Sequence, residues 1–133
     1  VGGEAVKPYI IAVTGGRDFD DYRLINSTLD SIHTGGHILL PLARVDVLVY
    51  GGANGADDLA MQWAVLNWVQ LCEFRVTGRQ WQKNGRGSGP LRNRLMLEVT
   101  RPNLLVAFPG GSGTANCVKT ARELGIVVLE VKP

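Results

Sequence analysis

The sequence predicts an α/β fold: a three-layer sandwich with a five-stranded parallel sheet and helices on both faces. Three observations carry that expectation. Short apolar runs alternate with stretches of helical periodicity along the chain. No two successive runs are joined by a hairpin turn, so the strands connect through crossovers, which are right-handed in parallel sheets. Three of the runs end in glycine pairs, Gly15-Gly16, Gly51-Gly52 and Gly110-Gly111, and in such a sheet these turns gather at the carboxyl edge, where ligands bind.

The first strand is Tyr9 to Thr14, apolar and β-branched. Asp20 or Asp21 caps the helix that follows, whose Leu24, Ile25, Leu29 and Ile32 share a face. That helix ends before Gly35-Gly36. His37 to Arg44 is interrupted by Pro41 and reads as a loop with a docked apolar side. Val45 to Tyr50 is the second strand, followed by a helix from about Ala56 to Leu71. Trp63 and Trp68 lie inside that helix, in the core or facing a partner. Glu73 to Thr77 reads as a short third strand, and Gly78 to Ser88 as a mobile, basic loop carrying Trp81. Pro90 opens a helix through Arg92 to Leu97, and Pro102 closes it. Leu104 to Phe108 is an unbroken apolar run, as expected of a strand covered on both faces. Thr114 or Ser112 caps the last helix, from about Ala115 to Leu124. Gly125 stops it, and Ile126 to Val131 is the fifth strand. The expected sheet order is 3-2-1-4-5, which sets the turns after strands one and four across the switch point.

At 133 residues the chain suits one domain, taken as residues 8–133, with 1–7 a flexible end or cloning remnant. No apolar segment approaches a membrane span and no signal-peptide pattern opens the chain, so a cytoplasmic protein without membrane contact is expected. Cys72 and Cys117 form no CxxC and read as reduced thiols. His33 and His37 have no carboxylate or thiol at ligand spacing, so no metal is expected. The net charge of +2 does not by itself imply nucleic acid. Its distribution is more informative: seven Lys or Arg from Arg75 to Arg101 face one acid, Glu98. A field of that kind attracts an anionic ligand.

The glycine turns carry the functional expectation. Gly110, Gly111 and Gly113 strip Cβ atoms from the turn after Pro109, letting backbone N–H groups approach a ligand. A helix N-terminus has unpaired N–H groups and partial positive charge, which suits phosphate. Gly110 to Thr114, including Ser112, and Gly15, Gly16 and Arg17 would cradle phosphate, Arg17 through its guanidinium fork. Gly51, Gly52, Ala53 and Asn54 to Asp57 would form a third wall. Asp18 and Asp57 suit ribose hydroxyls or helix capping. Arg92 and Arg94 point in different directions, with Arg92 taken as the charged clamp. Trp81 stacks on a base or anchors its loop.

The chain also resembles the SLOG superfamily of Rossmann-like nucleotide-binding domains, and within it the small YspA/YpsA-like group. Val13 to Phe19 carry the likeness, with Tyr50 to Asp57, Trp81, Gly85, Gly89 to Met96, and Ala107 to Cys117. The resemblance implies a Rossmann-like three-layer sandwich that binds a nucleotide or a NAD- or ADP-ribose-derived ligand, with no further cofactor required. It also implies a homo-oligomer, for which the Trp63/Trp68 helix is the candidate surface. Two relatives suggest alternatives. The Lonely Guy phosphoribohydrolases carry Pro-Gly-Gly-x-Gly-Thr-x-x-Glu with a catalytic Glu, and Cys117 stands at that position here. A thiol does not handle protons as a carboxylate does, so Asp18 or Asp57 would have to serve in an N-glycosidic hydrolase. DNA-processing protein A shares a Gly-x-Ala-x-Gly turn and an Arg-Asn-Arg stretch, which implies single-stranded nucleic acid as the other alternative. Binding without catalysis is the leading expectation.

Overall fold

The computed structural model describes residues 7–35 and 44–133. The expected loop from His37 falls outside them apart from Arg44, as do residues 1–6. The element order is β1 (Ile10–Thr14), α1 (Tyr22–His33), β2 (Val47–Tyr50), α2 (Ala56–Leu66), β3 (Gln70–Glu73), α3 (Gly78–Asn84), a 3-10 turn (Gly85–Gly87), α4 (Ser88–Thr100), β4 (Leu104–Ala107), α5 (Ser112–Glu123) and β5 (Val127–Glu130). All pairings are parallel and the order is β3-β2-β1-β4-β5, as the sequence predicts.

Strand alternation builds two apolar layers. Ile11, Val13, Leu48, Leu104 and Val106 pack with Ile25, Leu29 and Ile32 of α1 and Ala60 and Trp63 of α2. Ala12, Val49, Leu105 and Ala107 pack on the other face with Met96 and Leu97 of α4 and Cys117, Val118 and Ala121 of α5. The central strands β1 and β4 are thus buried on both faces, which explains their unalternating apolar sequence. Asp21 is the residue that caps α1, through its carboxylate and the Leu24 N–H at 3.1 Å. His33 accepts the Val45 N–H on Nδ1 at 3.1 Å and so secures the return to β2.

Several boundaries differ from the sequence expectation. The second helix ends at Leu66 rather than Leu71, and β3 runs from Gln70 to Glu73 rather than from Glu73 to Thr77. The chain reverses because Asn67 closes α2 and Trp68 takes φ = +58°, after which the Val69 N–H bonds back to Ala64. Trp is an improbable residue for the left-handed region, so the sequence carries no signal of this turn. Trp63 is buried, and its indole donates to Asp30 at 2.8 Å, whereas Trp68 is 96% exposed. The expected basic loop is helical: Thr77 and Gln80 form a reciprocal capping box that starts α3, and Ser88 ties α4 to it by donating to the Gln80 carbonyl. Finally, α5 starts at Ser112, about one turn earlier than expected, with Gly111 as its N-cap and no side-chain cap.

Candidate functional site

The three glycine turns meet backbone to backbone. The Gly16 N–H donates to the Pro109 carbonyl at 2.9 Å, and the Ala56 N–H to the Gly16 carbonyl at 3.2 Å. Gly16 is therefore held between the turn after β4 and the turn after β2. The rings of Phe19 and Phe108 pack at a tilt of 38° with centroids 5.6 Å apart, joining the β1 turn to the end of β4. The glycines fall into two physical classes. A Cβ on Gly15 would meet Ala56 and Phe108, one on Gly55 the carbonyls of Gly16 and Arg17, and one on Gly110 the Thr114 hydroxyl and the Gly16 nitrogen. Those three are needed for the turns to touch. At Gly111 and Gly113 a Cβ would meet nothing within 4 Å, so internal packing does not call for glycine there.

Ser112 and Thr114 lie in the first turn of α5 rather than capping it. With no side-chain hydrogen bond capping it, that turn presents unpaired N–H groups beside Gly111 and Gly113, where an added Cβ would meet open space. Arg17 and Asp18 are exposed in the β1 turn, on the same edge. Pro109 and Ala53 are half-buried and Asn54 is exposed.

Asp57 has a structural task. It is 6% exposed in the first turn of α2, and its Oδ2 accepts the N–H of Gly51 at 3.1 Å and of Ala53 at 3.3 Å. Burial pushes its carboxyl up to about 6, against the pull of those N–H groups and of the Arg92 guanidinium. The folded-state value lies above the ordinary 3.8, so between about pH 4 and pH 6 the folded protein holds more protons than the unfolded one. Stability therefore falls as pH rises through that window. Asp57→Asn removes the titration. From urea midpoints at matched pH, wild type should lose about 2 kcal/mol relative to this variant between pH 4 and pH 7. Parallel stability curves would refute the buried charge.

Arg92, expected as the charged clamp, is bonded within the protein. Its Nη1 donates to the Gly51 carbonyl at 2.9 Å and its Nε to Asn93 Oδ1 at 3.0 Å. Asn93 is buried and its amide donates to Asn116 Oδ1 at 3.1 Å and to the Gly113 carbonyl at 3.4 Å. Two consecutive residues of α4 thus tie the β2 turn to the first turn of α5. The role of Asn93 is not among the sequence expectations, which draw on the charges of the Arg-Asn-Arg stretch alone. Arg94 diverges as expected, toward Glu98 at 3.3 Å and Glu123 at 3.6 Å.

Trp81 lies on the exposed α3, 54% exposed, and not in a loop that closes over the glycine turns. The basic segment is partly spent on internal bonds: Arg75 pairs with Glu73, and Arg101 reaches the Leu124 carbonyl. Arg79, Lys83 and Arg86 remain exposed on α3 and the turn after it. Cys117 is buried in the core, and burial pushes its thiol up to about 11, with a Thr14 hydrogen bond pulling the other way. Burial and the raised thiol both work against a reactive thiolate there. Among the described residues no three His, Cys, Asp or Glu side chains are grouped to hold a metal ion, and no helix is long and apolar enough to cross a membrane.

This geometry agrees with comparisons to known proteins. The chain is 34% identical over 127 residues to the Gene 61 protein of Mycobacterium phage D29, covering 90% of this chain and 93% of that protein. Its fold is similar to the X-ray structure of DNA processing protein A from Streptococcus pneumoniae, with a TM-score of 0.72 at 17% identity, over 95% of this chain. The chain spans about half (51%) of that structure, and at this identity the likeness is one of fold. Residues 9–81, over half of the chain, match the family model described as YAcAr. With the parallel sheet and the joined glycine turns already in view, the chain belongs to the YspA, cpYpsA-related SLOG family.

Proposed function

We propose that the protein is a binding module for a nucleotide or an ADP-ribose-derived ligand, acting as a sensor or a sequestering domain. One observation carries the reading: an uncapped helix N-terminus faces open space at Gly111 and Gly113, on the sheet edge where Arg17 is also exposed. A phosphate there accepts the free N–H groups of α5, gains from the helix dipole and takes the Arg17 fork. The N-glycosidase alternative needs a carboxylate at the ligand, and Asp57 spends its Oδ2 on its own turn. Asp18 is then the remaining candidate, and release of free base from nucleoside monophosphates is the assay for it. The second binding reading, single-stranded nucleic acid, is favoured by the fold shared with DNA processing protein A and by the exposed cations of α3.

Thermal stability against a panel separates these readings. The panel is AMP, ADP, ADP-ribose, cyclic ADP-ribose, NAD and a short single-stranded oligonucleotide. A ligand at a hundred times its dissociation constant adds about 2.7 kcal/mol, which raises the midpoint by several degrees. The expected result is a shift with a nucleotide. A shift with the oligonucleotide alone, shrinking steeply with salt, would replace this reading with the nucleic-acid one.

A further inference from the structure

Beside the carboxyl end of β3 the surface opens into a cleft of about 320 Å³ between α3 and α4. Phe74, Leu91 and Leu95 give it apolar sides, and the paired Glu73 and Arg75 give it a charged one. Arg92, whose guanidinium holds the Gly51 carbonyl, lines it too. The cleft and the glycine turns therefore share a wall. Its size is that of a small-molecule site, and its chemistry is the usual one of apolar surfaces with a few polar groups. Leu91 and Leu95 are 57% and 50% exposed, so apolar area waits there to be covered.

That chemistry fits a nucleobase. A base has flat faces that bury against apolar side chains and an edge of donors and acceptors. Glu73 and Arg75 are bonded to each other through both carboxylate oxygens, at 3.2 and 3.3 Å, and the guanidinium N–H groups and carboxylate lone pairs outside that pairing offer such an edge donors and acceptors. Neither an apolar chain nor a bare phosphate uses both kinds of surface. Trp81, the aromatic residue that the sequence offers for stacking, is not among the residues that line the cleft.

Distance narrows the ligand further. The phosphate cradle lies over β1 and β4, and the cleft lies beyond β2, beside β3. At about 4.8 Å per strand spacing the two are roughly 10–15 Å apart, with Gly51 to Asn54 between them. A single phosphate on a ribose is short for that span, and a pyrophosphate extends it. We infer that the cleft is the nucleobase subsite of a nucleoside-diphosphate-type ligand whose phosphates rest on the glycine turns. This rests on the binding reading above and adds to it a place for the base and a minimum length.

Leu91→Trp fills the cleft from its exposed rim and touches no glycine turn. Leu95→Trp, one turn further along α4, is the second variant with the same expectation. Titration calorimetry uses ADP-ribose for the whole site and inorganic pyrophosphate for the cradle alone. Each variant should weaken ADP-ribose by about tenfold or more and leave pyrophosphate affinity unchanged. Wild type should also hold ADP-ribose more tightly than AMP. Unchanged ADP-ribose affinity in both folded variants would overturn the subsite and leave the cradle standing. Equal loss of both probes would also overturn it, because the cleft would then have no separate role. A wild-type protein that binds neither probe would overturn the cradle, and the subsite with it.

Discussion

Gly111→Val should abolish nucleotide binding, weakening it by about a hundredfold or more, while the melting temperature stays close to that of wild type. The two halves of this expectation come from one observation. A Cβ at Gly111 meets nothing within 4 Å, and the residue has φ = −102°, outside the left-handed region. The added side chain therefore meets no packed atom of the folded protein, and the fold loses little. A phosphate on the first turn of α5 loses its seat, because the branched side chain occupies the same space. Charge-assisted hydrogen bonds are worth roughly 1.5–3 kcal/mol each, so losing two of them accounts for the hundredfold. Arg17→Ala should act in the same direction with a smaller effect, since Arg17 is exposed and its removal leaves the backbone donors in place. Calorimetric titration with ADP-ribose, paired with a thermal melt, reads both quantities. Unchanged affinity in both variants would remove the proposed site.

Gly55→Ala should do the reverse and damage the fold first. Gly55 has φ = +76°, and its Cβ would strike the Gly16 and Arg17 carbonyls. The left-handed backbone costs about 1–2 kcal/mol for an L-residue, and overpacking against rigid backbone adds about 1–3 kcal/mol. A total of about 3 kcal/mol lowers the melting temperature by roughly 10 °C in a domain of this size. The Ala56 N–H bond to the Gly16 carbonyl, 3.2 Å in the wild type, is the contact that gives way. Scanning calorimetry measures this directly. A melting temperature equal to that of wild type would mean that the β1 and β2 turns do not hold each other as described. Together the two variants separate glycines kept for packing from glycines kept open for a ligand.

Much of the architecture is legible in the amino-acid sequence. The unalternating apolar run Leu104 to Phe108 and the lack of hairpin turns point to a parallel sheet, and its order is the expected 3-2-1-4-5. The glycine pairs announce a shared edge. Their direct contact, and the division of labour among them, is not legible, because a sequence does not say what a missing Cβ would have met. The helix at α3 is readable in principle: Thr77 and Gln80 are a capping box, hidden behind the glycine and charge content of the segment that follows. The reversal at Trp68 is not readable, since it depends on tertiary pairing of Gln70 with Val47 overriding local preference. Arg92 shows a different limit. The Arg-Asn-Arg stretch indicates its type and its place near the glycine turns, but its guanidinium is bonded to the Gly51 carbonyl. Only the geometry shows that it joins the turns to the cleft.

The bracing by α4 has a functional corollary. Arg92 grips the β2 turn and Asn93 grips the first turn of α5. The two walls of the candidate site are therefore fixed relative to each other by one helix, whose neighbouring Leu91 and Leu95 line the cleft. A site held in this way binds with little rearrangement of backbone, which favours affinity by lowering the ordering cost.

The most direct test of the central claim is to watch the backbone N–H groups themselves. In a 15N-labelled sample titrated with ADP-ribose, the amide resonances of Arg17, Gly111, Ser112 and Gly113 should shift in a saturable way, with a common dissociation constant, while those of the opposite sheet edge near Trp68 and Asn103 stay still. Saturable shifts confined to the exposed face of α3, or no saturable shift at the start of α5 with any nucleotide of the panel, would contradict the account.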